Sequence, residues 1–222
     1  MTTKGPPILI DYYTDVLCVW AWIAQPRLEE LHRQWGSQIR IHHRYIDIFG
    51  NARSKIPAQW GSDDGYQKFH DHIVHSAEPY DHSDIHPDIW TRVRPNSSVT
   101  AHLILKAIDI VGDEKQVDKI SGEMREQFFV RAVDIGNLEI LLNMSVDIGL
   151  SRNDLLSVLH DGQAMAALSA DLRSARDNSI KGSPSWVLNN GRQILYGNVG
   201  YRILSSNIEE LIKHPVEEAS WC

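Results

Sequence analysis

Asp11-Tyr12-Tyr13-Thr14-Asp15-Val16-Leu17-Cys18-Val19-Trp20-Ala21-Trp22 is the stretch on which the reading of this chain turns. The apolar run Pro7 to Tyr12 leads into it and reads as a buried strand. A turn at Thr14-Asp15 follows, and Trp20, Ala24, Leu28, Leu31 and Trp35 then recur at helical spacing, so residues 18 to 35 read as a helix. Pro26 is expected to kink that helix and Gly36 to end it. Cys18 thus stands at a helix start, where unpaired amides and the positive end of the helix dipole favour a thiolate. On this reading its pKa falls and it becomes a nucleophile for disulfide exchange. The competing reading is a small buried hydrophobe, the common fate of a free cysteine. The reactive reading is preferred because of the loop in which Cys18 sits.

Outward from this stretch, Ile39 to Ile48 reads as a second strand, with Arg40, His42 and Arg44 alternating with Ile39, Ile41 and His43. Strand, helix and strand within 50 residues make a parallel βαβ unit. From Asn51 to Arg94 the chain is polar and rich in His, Asp, Trp and Pro, and reads as a loop with one short helix near Tyr66 to His75. Helical patterns dominate from Ser97 to Ser179, and Ser151-Arg152-Asn153-Asp154 reads as a capped helix start. Strands return at Ser185 to Leu188 and Gln193 to Tyr196 around the hairpin turn Asn189-Asn190-Gly191. Tyr201 to Lys213 closes the pattern as a helix.

Composition narrows the function classes. The 222 residues are 42% hydrophobic and 23% charged, those of an ordinary soluble protein with enough chain to bury a core. A net charge of −7 with no dense Lys/Arg run speaks against a nucleic-acid or anionic-membrane partner. The opening residues lack a signal-peptide pattern and no window has the length of a membrane helix, so a cytoplasmic location is expected. Two cysteines, Cys18 and Cys222, make no disulfide framework. His70, His72, His75, His82 and His86 fit no zinc spacing, so no metal is expected.

The opening stretch resembles the active-site segment of the DsbA-like thioredoxin superfamily, in which a strand leads through Asp to Cys-Pro-X-Cys at a helix start. Lys181-Gly182-Ser183-Pro184-Ser185-Trp186-Val187 is similar to that family's cis-proline loop. Arg94-Pro95-Asn96-Ser97, Met124 to Phe129 and Asp134-Ile135-Gly136 resemble insertion segments of DsbA-like isomerases, 2-hydroxychromene-2-carboxylate isomerases and kappa-class glutathione transferases. The resemblance implies an α/β, thioredoxin-like fold with a long, mostly helical insertion. The thioredoxin-like domain would comprise 1–50 and 180–222, and the insertion 51–179.

The same resemblance implies a thiol–disulfide oxidoreductase or isomerase acting through Cys18, with a cis Ser183-Pro184 bond shaping the substrate groove; an ordinary trans-proline at a strand start is the alternative. The family's second cysteine position is Ala21 here, so the usual disulfide cannot close and an outside thiol must release Cys18. Glutathione is the expected co-substrate, with no tightly bound cofactor. Trp20, Asn96, Ser183 and Pro184 are candidates for contact with substrate or glutathione. Asn198 and Gly200, at the start of the last helix, are candidates for its γ-glutamyl carboxylate, against plain capping. Cys222 is the candidate resolving thiol, against a frayed chain end. Relatives also imply a homodimer, and two further readings: a glutathione-dependent isomerase or transferase acting on an aromatic small molecule, and a non-enzymatic binding module that kept the fold.

Overall fold

The apolar run ahead of Cys18 becomes β1 (Ile8–Thr14), paired in parallel with β2 (Ile39–Tyr45), Ile8 opposite Ile39 and Thr14 opposite Tyr45. A computed structural model of the chain describes residues 6–214. Between the two strands runs α1 (Val19–Trp35), which continues through Pro26 and stops at Gly36, whose φ of 49° suits glycine. β3 (Ser185–Leu188) pairs antiparallel with β1, and β4 (Gln193–Tyr196) antiparallel with β3, giving the order β2-β1-β3-β4. The hairpin turn needs Asn189 and Asn190 at positive φ, 49° and 58°, a conformation asparagine tolerates.

The insertion lies between β2 and β3. It comprises α2 (Ala52–Trp60), α3 (Gly65–Ala77), α4 (Val99–Val111), α5 (Glu114–Phe129), α6 (Leu138–Asp147), α7 (Arg152–His160) and α8 (Gln163–Asp177). α9 (Tyr201–Lys213) follows the hairpin. The expected α/β architecture with a helical insertion is thus present, with corrections in detail. The segment read as a loop with one short helix holds two helices, and β2 ends at Tyr45 rather than Ile48. α2 escaped the sequence reading because Pro57 interrupts it and only Ala52 and Ile56 are buried; its start is fixed by Asn51, whose side chain accepts from the Ser54 N–H.

Successive β1 residues point to opposite faces. Ile8, Ile10 and Tyr12 pack with Leu28 and Leu31 of α1 and Leu204, Ile208 and Leu211 of α9. Tyr13 packs on the other face with Ile46, Ala175 and Val187. The largest apolar cluster joins Val16 to Ile23 and Tyr45 to the helices of the insertion, so the first turns of α1 share one core with α3, α4 and α5. Asp171 of α8, 1% exposed, accepts from Lys106 Nζ (2.9 Å), Arg44 Nη1 (3.1 Å) and the Tyr45 N–H (3.1 Å), pinning α8 and α4 to β2. Among the described residues no helix is long and apolar enough to cross a membrane.

Candidate functional site

β1 ends at Thr14 and the chain folds back on itself. The Cys18 N–H donates to the Asp15 carbonyl (3.0 Å), and the N–H groups of Ala21 (3.0 Å) and Trp22 (3.1 Å) donate to the Cys18 carbonyl. Cys18 is therefore the N-cap of α1, in an extended conformation. Its thiol donates to the Ser183 carbonyl at 3.2 Å, and the Ser183–Pro184 peptide bond is cis. Ser183 Oγ accepts from the Asp15 N–H at 2.9 Å, so one hydroxyl fastens the proline loop to the cysteine loop. The Gly197 N–H donates to the Pro184 carbonyl at 2.8 Å, which brings the approach to α9 to the same place.

Beneath the cysteine loop lies a carboxylate that sequence reading passed over. Asp15 is fully buried. Its Oδ1 accepts from the Leu17 N–H (3.0 Å); its Oδ2 accepts from the Phe49 N–H and from Ser98 Oγ, both at 2.8 Å. Burial pushes its carboxyl up to about 6, against the pull of these donors. His102 Nε2 lies 3.8 Å from Asp15 Oδ1, yet it accepts from the Val16 N–H at 3.3 Å and so carries no proton there. Burial, and then the Arg125 guanidinium, lower its pKa to about 3, so the imidazole is neutral and the two do not form an ion pair. The one signal for this network is the Asp15-x-x-Cys18 spacing. Ser98 is the N-cap residue of α4, but its hydroxyl turns to Asp15 instead of capping the helix.

The electrostatics correct one expectation. A helix start was expected to lower the Cys18 pKa; in the structure burial raises it, and the buried Asp15 pushes the same way. The Ser183 side chain and the Ala21 and Trp20 backbone amides oppose this and lose. The resting group is a thiol.

The other candidates are placed as follows. Ser183 and Pro184 adjoin Cys18. Ala21 is fully buried one turn into α1. Trp20 is half-buried and packs on the large core; Trp186, in the strand that follows Pro184, is buried against Tyr12, ring centroids 4.4 Å apart. Asn198 Nδ2 donates to Tyr80 Oη at 2.6 Å, while its Oδ1 is buried without a partner. Gly200 is the exposed N-cap of α9. Asn96 is exposed, its carbonyl accepting from the Arg53 N–H at 3.2 Å, and makes no hydrogen bond to the Cys18 loop. Cys222 lies outside the described residues. The loop histidines serve locally: His70 Nδ1 meets the Ile89 carbonyl (2.8 Å) and His82 Nε2 the Ile23 carbonyl (3.3 Å). Among the described residues no three His, Cys, Asp or Glu side chains form a metal-holding group.

Comparison with known proteins places this geometry. Residues 9–209 match the model of the DSBA-like thioredoxin domain. The chain is similar to the ClpXP adapter protein SpxH of Halalkalibacterium halodurans, 25% identical over 192 residues that cover 84% of this chain and 60% of that one. The chain thus spans about 60% of the length of the curated relatives it matches. The cytosolic disulfide reductase DsbM of Pseudomonas aeruginosa superposes with a TM-score of 0.70 at 14% identity, covering 91% of this chain and 99% of that one. A structure of DsbM with GSH superposes with a TM-score of 0.66 at 15% identity over 90% and 99%. A 2-hydroxychromene-2-carboxylate isomerase superposes with a TM-score of 0.66 at 19% identity over 96% and 100%. With the family model running from β1 into α9, and the cysteine and proline loops meeting as they do, the chain belongs to the DSBA-like thioredoxin domain family.

Proposed function

We propose that the chain is a thiol–disulfide oxidoreductase that works through Cys18 alone, with glutathione completing each turnover. The observation that carries this reading is the Cys18 thiol at the start of α1, against the Ser183 carbonyl, with Ala21 where a second cysteine would stand. Cys18 loses its proton to solvent and its thiolate attacks one sulfur of a disulfide RS–SR′. That S–S bond breaks, R′S⁻ leaves and takes up a proton, and Cys18–S–S–R remains. A glutathione thiolate then attacks the R sulfur, giving GS–SR and freeing Cys18. The sum is RS–SR′ + GSH → GS–SR + R′SH, a disulfide exchanged for a disulfide.

On this reading the Ser183 backbone and Pro184 seat the substrate, with Trp20 and Asn96 at its flanks, and Asn198 and Gly200 hold the glutathione carboxylate. The DsbM structure with GSH supports the choice of co-substrate. The chemistry suits a reducing, glutathione-containing compartment such as the cytoplasm. Cys222 remains the alternative resolving thiol.

The protonation of Cys18 favours a second reading. A thiol held above its ordinary range donates a hydrogen bond more readily than it attacks, which suits a glutathione-dependent isomerase or transferase that orients another thiol. Intact mass after oxidised glutathione, glutathione binding by calorimetry, and glutathione-dependent disulfide reduction by wild type, Cys18→Ser and Cys222→Ser separate these readings. A glutathione adduct on Cys18, with turnover lost in Cys18→Ser and kept in Cys222→Ser, supports the first. Binding without an adduct supports the second. Neither binding nor adduct overturns both and leaves a binding module, a class in keeping with the adapter name of the SpxH relatives.

A further inference from the structure

Arg125 of α5 is fully buried, and no carboxylate among the described residues pairs with it. Its Nη2 donates to Thr14 Oγ1 (3.0 Å) and its Nη1 to Gln25 Oε1 (2.8 Å) and Ser121 Oγ (3.0 Å). Its Nε is buried without an acceptor. Buried charges are ordinarily paired, because neutral acceptors do not repay the hydration a guanidinium gives up. This one has no carboxylate in contact among the described residues, and Asp171 opposes it only from a distance, at Tyr45 and His102. Burial raises the pKa values of Tyr12 and Tyr45 and keeps both neutral, and His102 is neutral as well. Asp118, on the same helix, is engaged by His43 Nε2 (2.5 Å) and His32 Nε2 (3.0 Å).

Above this cation a cleft of about 1020 Å³ opens between α1 and α5. Trp22, Pro26, Leu28, Ile39 and Ile41 give it apolar walls. Cys18, Ser183 and Pro184 do not line it. Arg125 does not line it either; Gln25 does, and Gln25 Oε1 is the acceptor on Arg125 Nη1. The Gln25 amide packs over Gly122, where a Cβ would come within 3.0 Å of Gln25 Nε2. Gln25 is thus a plug between the apolar walls of the cleft and a buried guanidinium that no carboxylate contacts. Of the other lining charges, Glu114 pairs with Arg40 and Glu126 with Arg131, while Lys115 and Lys119 equal Glu29 and Glu123 in number. Asp118 is held by His32 and His43, and behind this lining Arg125 is a buried cation with no carboxylate in contact.

We propose that the α1–α5 cleft binds an amphipathic carboxylate, whose apolar body lies along Trp22, Leu28 and Ile41 and whose carboxylate replaces Gln25 Oε1 on Arg125. The carboxylate is the planar isostere of the carboxamide it displaces, and an anion on a guanidinium makes a stronger hydrogen bond than a neutral amide does. The apolar walls set the rest of the ligand: removal of its chain from water supplies the affinity, and Arg125 selects its charge. This site is independent of the redox reading of Cys18.

Octanoate and its neutral counterpart octanamide, titrated calorimetrically into the full-length protein, test it. Octanoate is expected to bind at least about tenfold more tightly than octanamide, the difference between a charged and a neutral acceptor on the guanidinium. Gln25→Ala, which removes the plug, tightens octanoate several-fold and leaves octanamide unchanged. Arg125→Gln abolishes the preference; should that variant fail to fold, Gln25→Ala still decides. Cys18→Ser and saturating glutathione leave octanoate binding as it was. Equal affinity for the two probes, no binding of either, a preference indifferent to Gln25→Ala, or competition with glutathione would each overturn the proposal.

Discussion

At the residue scale, Cys18 answers to burial rather than to its helix. Its thiol should react with iodoacetamide at pH 7 more slowly than free cysteine, with a titration midpoint above the ordinary value of about 8.5. A faster rate and a lower midpoint would show that the α1 amides prevail. Asp15 gives a second test. Its folded pKa of about 6 exceeds the ordinary value of about 3.9, so between those pH values the folded chain holds a proton that the unfolded chain has lost. Stability from this group therefore falls as pH rises across that window. By urea denaturation, the advantage of wild type over Asp15→Asn should shrink on the order of 2 kcal/mol between pH 4 and pH 6; a flat difference would mean that the buried carboxylate bears no such penalty. Cys18 and Pro184 were legible because their neighbours along the chain carry the pattern. The partners of Asp15 were not: Ser98 lies 83 residues away and Phe49 34, and only tertiary packing brings them to it. The direction of the Cys18 shift was illegible for the same reason, since Ser183, 165 residues on, covers the thiol.

At the element scale, Asp118 ties three pieces together: His32 from α1, His43 from β2, and its own α5. The hydrogen bonds from His32 and His43 outweigh burial and hold its carboxyl at about 2, and Asp118 in turn raises His32. The carboxylate contributes stability above about pH 4 that is lost as pH falls towards 2; His32 contributes stability at low pH that is lost as pH rises through its raised pKa. Asp118→Asn should therefore cost about 1–2 kcal/mol near pH 5, and the loss should diminish on both sides of that pH. A loss constant from pH 3 to pH 8 in denaturant titrations would refute the linkage. Elements with strong periodicity, such as α1, α4 and α9, could be read from sequence, as could the β3–β4 turn from Asn189-Asn190-Gly191. α2 could not, because its stability comes from tucking Ala52 and Ile56 under neighbouring elements rather than from an apolar stripe of its own.

At the scale of the molecule, the insertion and the thioredoxin-like layer share the apolar cluster around Val16 to Ile23, Tyr45, Ile104 and Phe128. A chain with such a common core should unfold in one transition. Far-ultraviolet and near-ultraviolet circular dichroism should give coincident thermal midpoints, and two resolved midpoints would show that the insertion melts alone. The fold class was legible from the order of its motifs, whereas this sharing of a core was not, because no stretch of sequence records which helix a buried side chain will meet. The strand order has a consequence for the birth of the protein. β1 gains β2 as a neighbour early, but its other neighbour begins at Ser185. At roughly 5–20 residues per second, a ribosome needs roughly ten to thirty seconds to travel from the end of β1 to that point. Through that interval the carbonyl that receives the Cys18 thiol has not been made, so a cysteine that is shielded in the finished molecule lacks that cover while the chain is being synthesised.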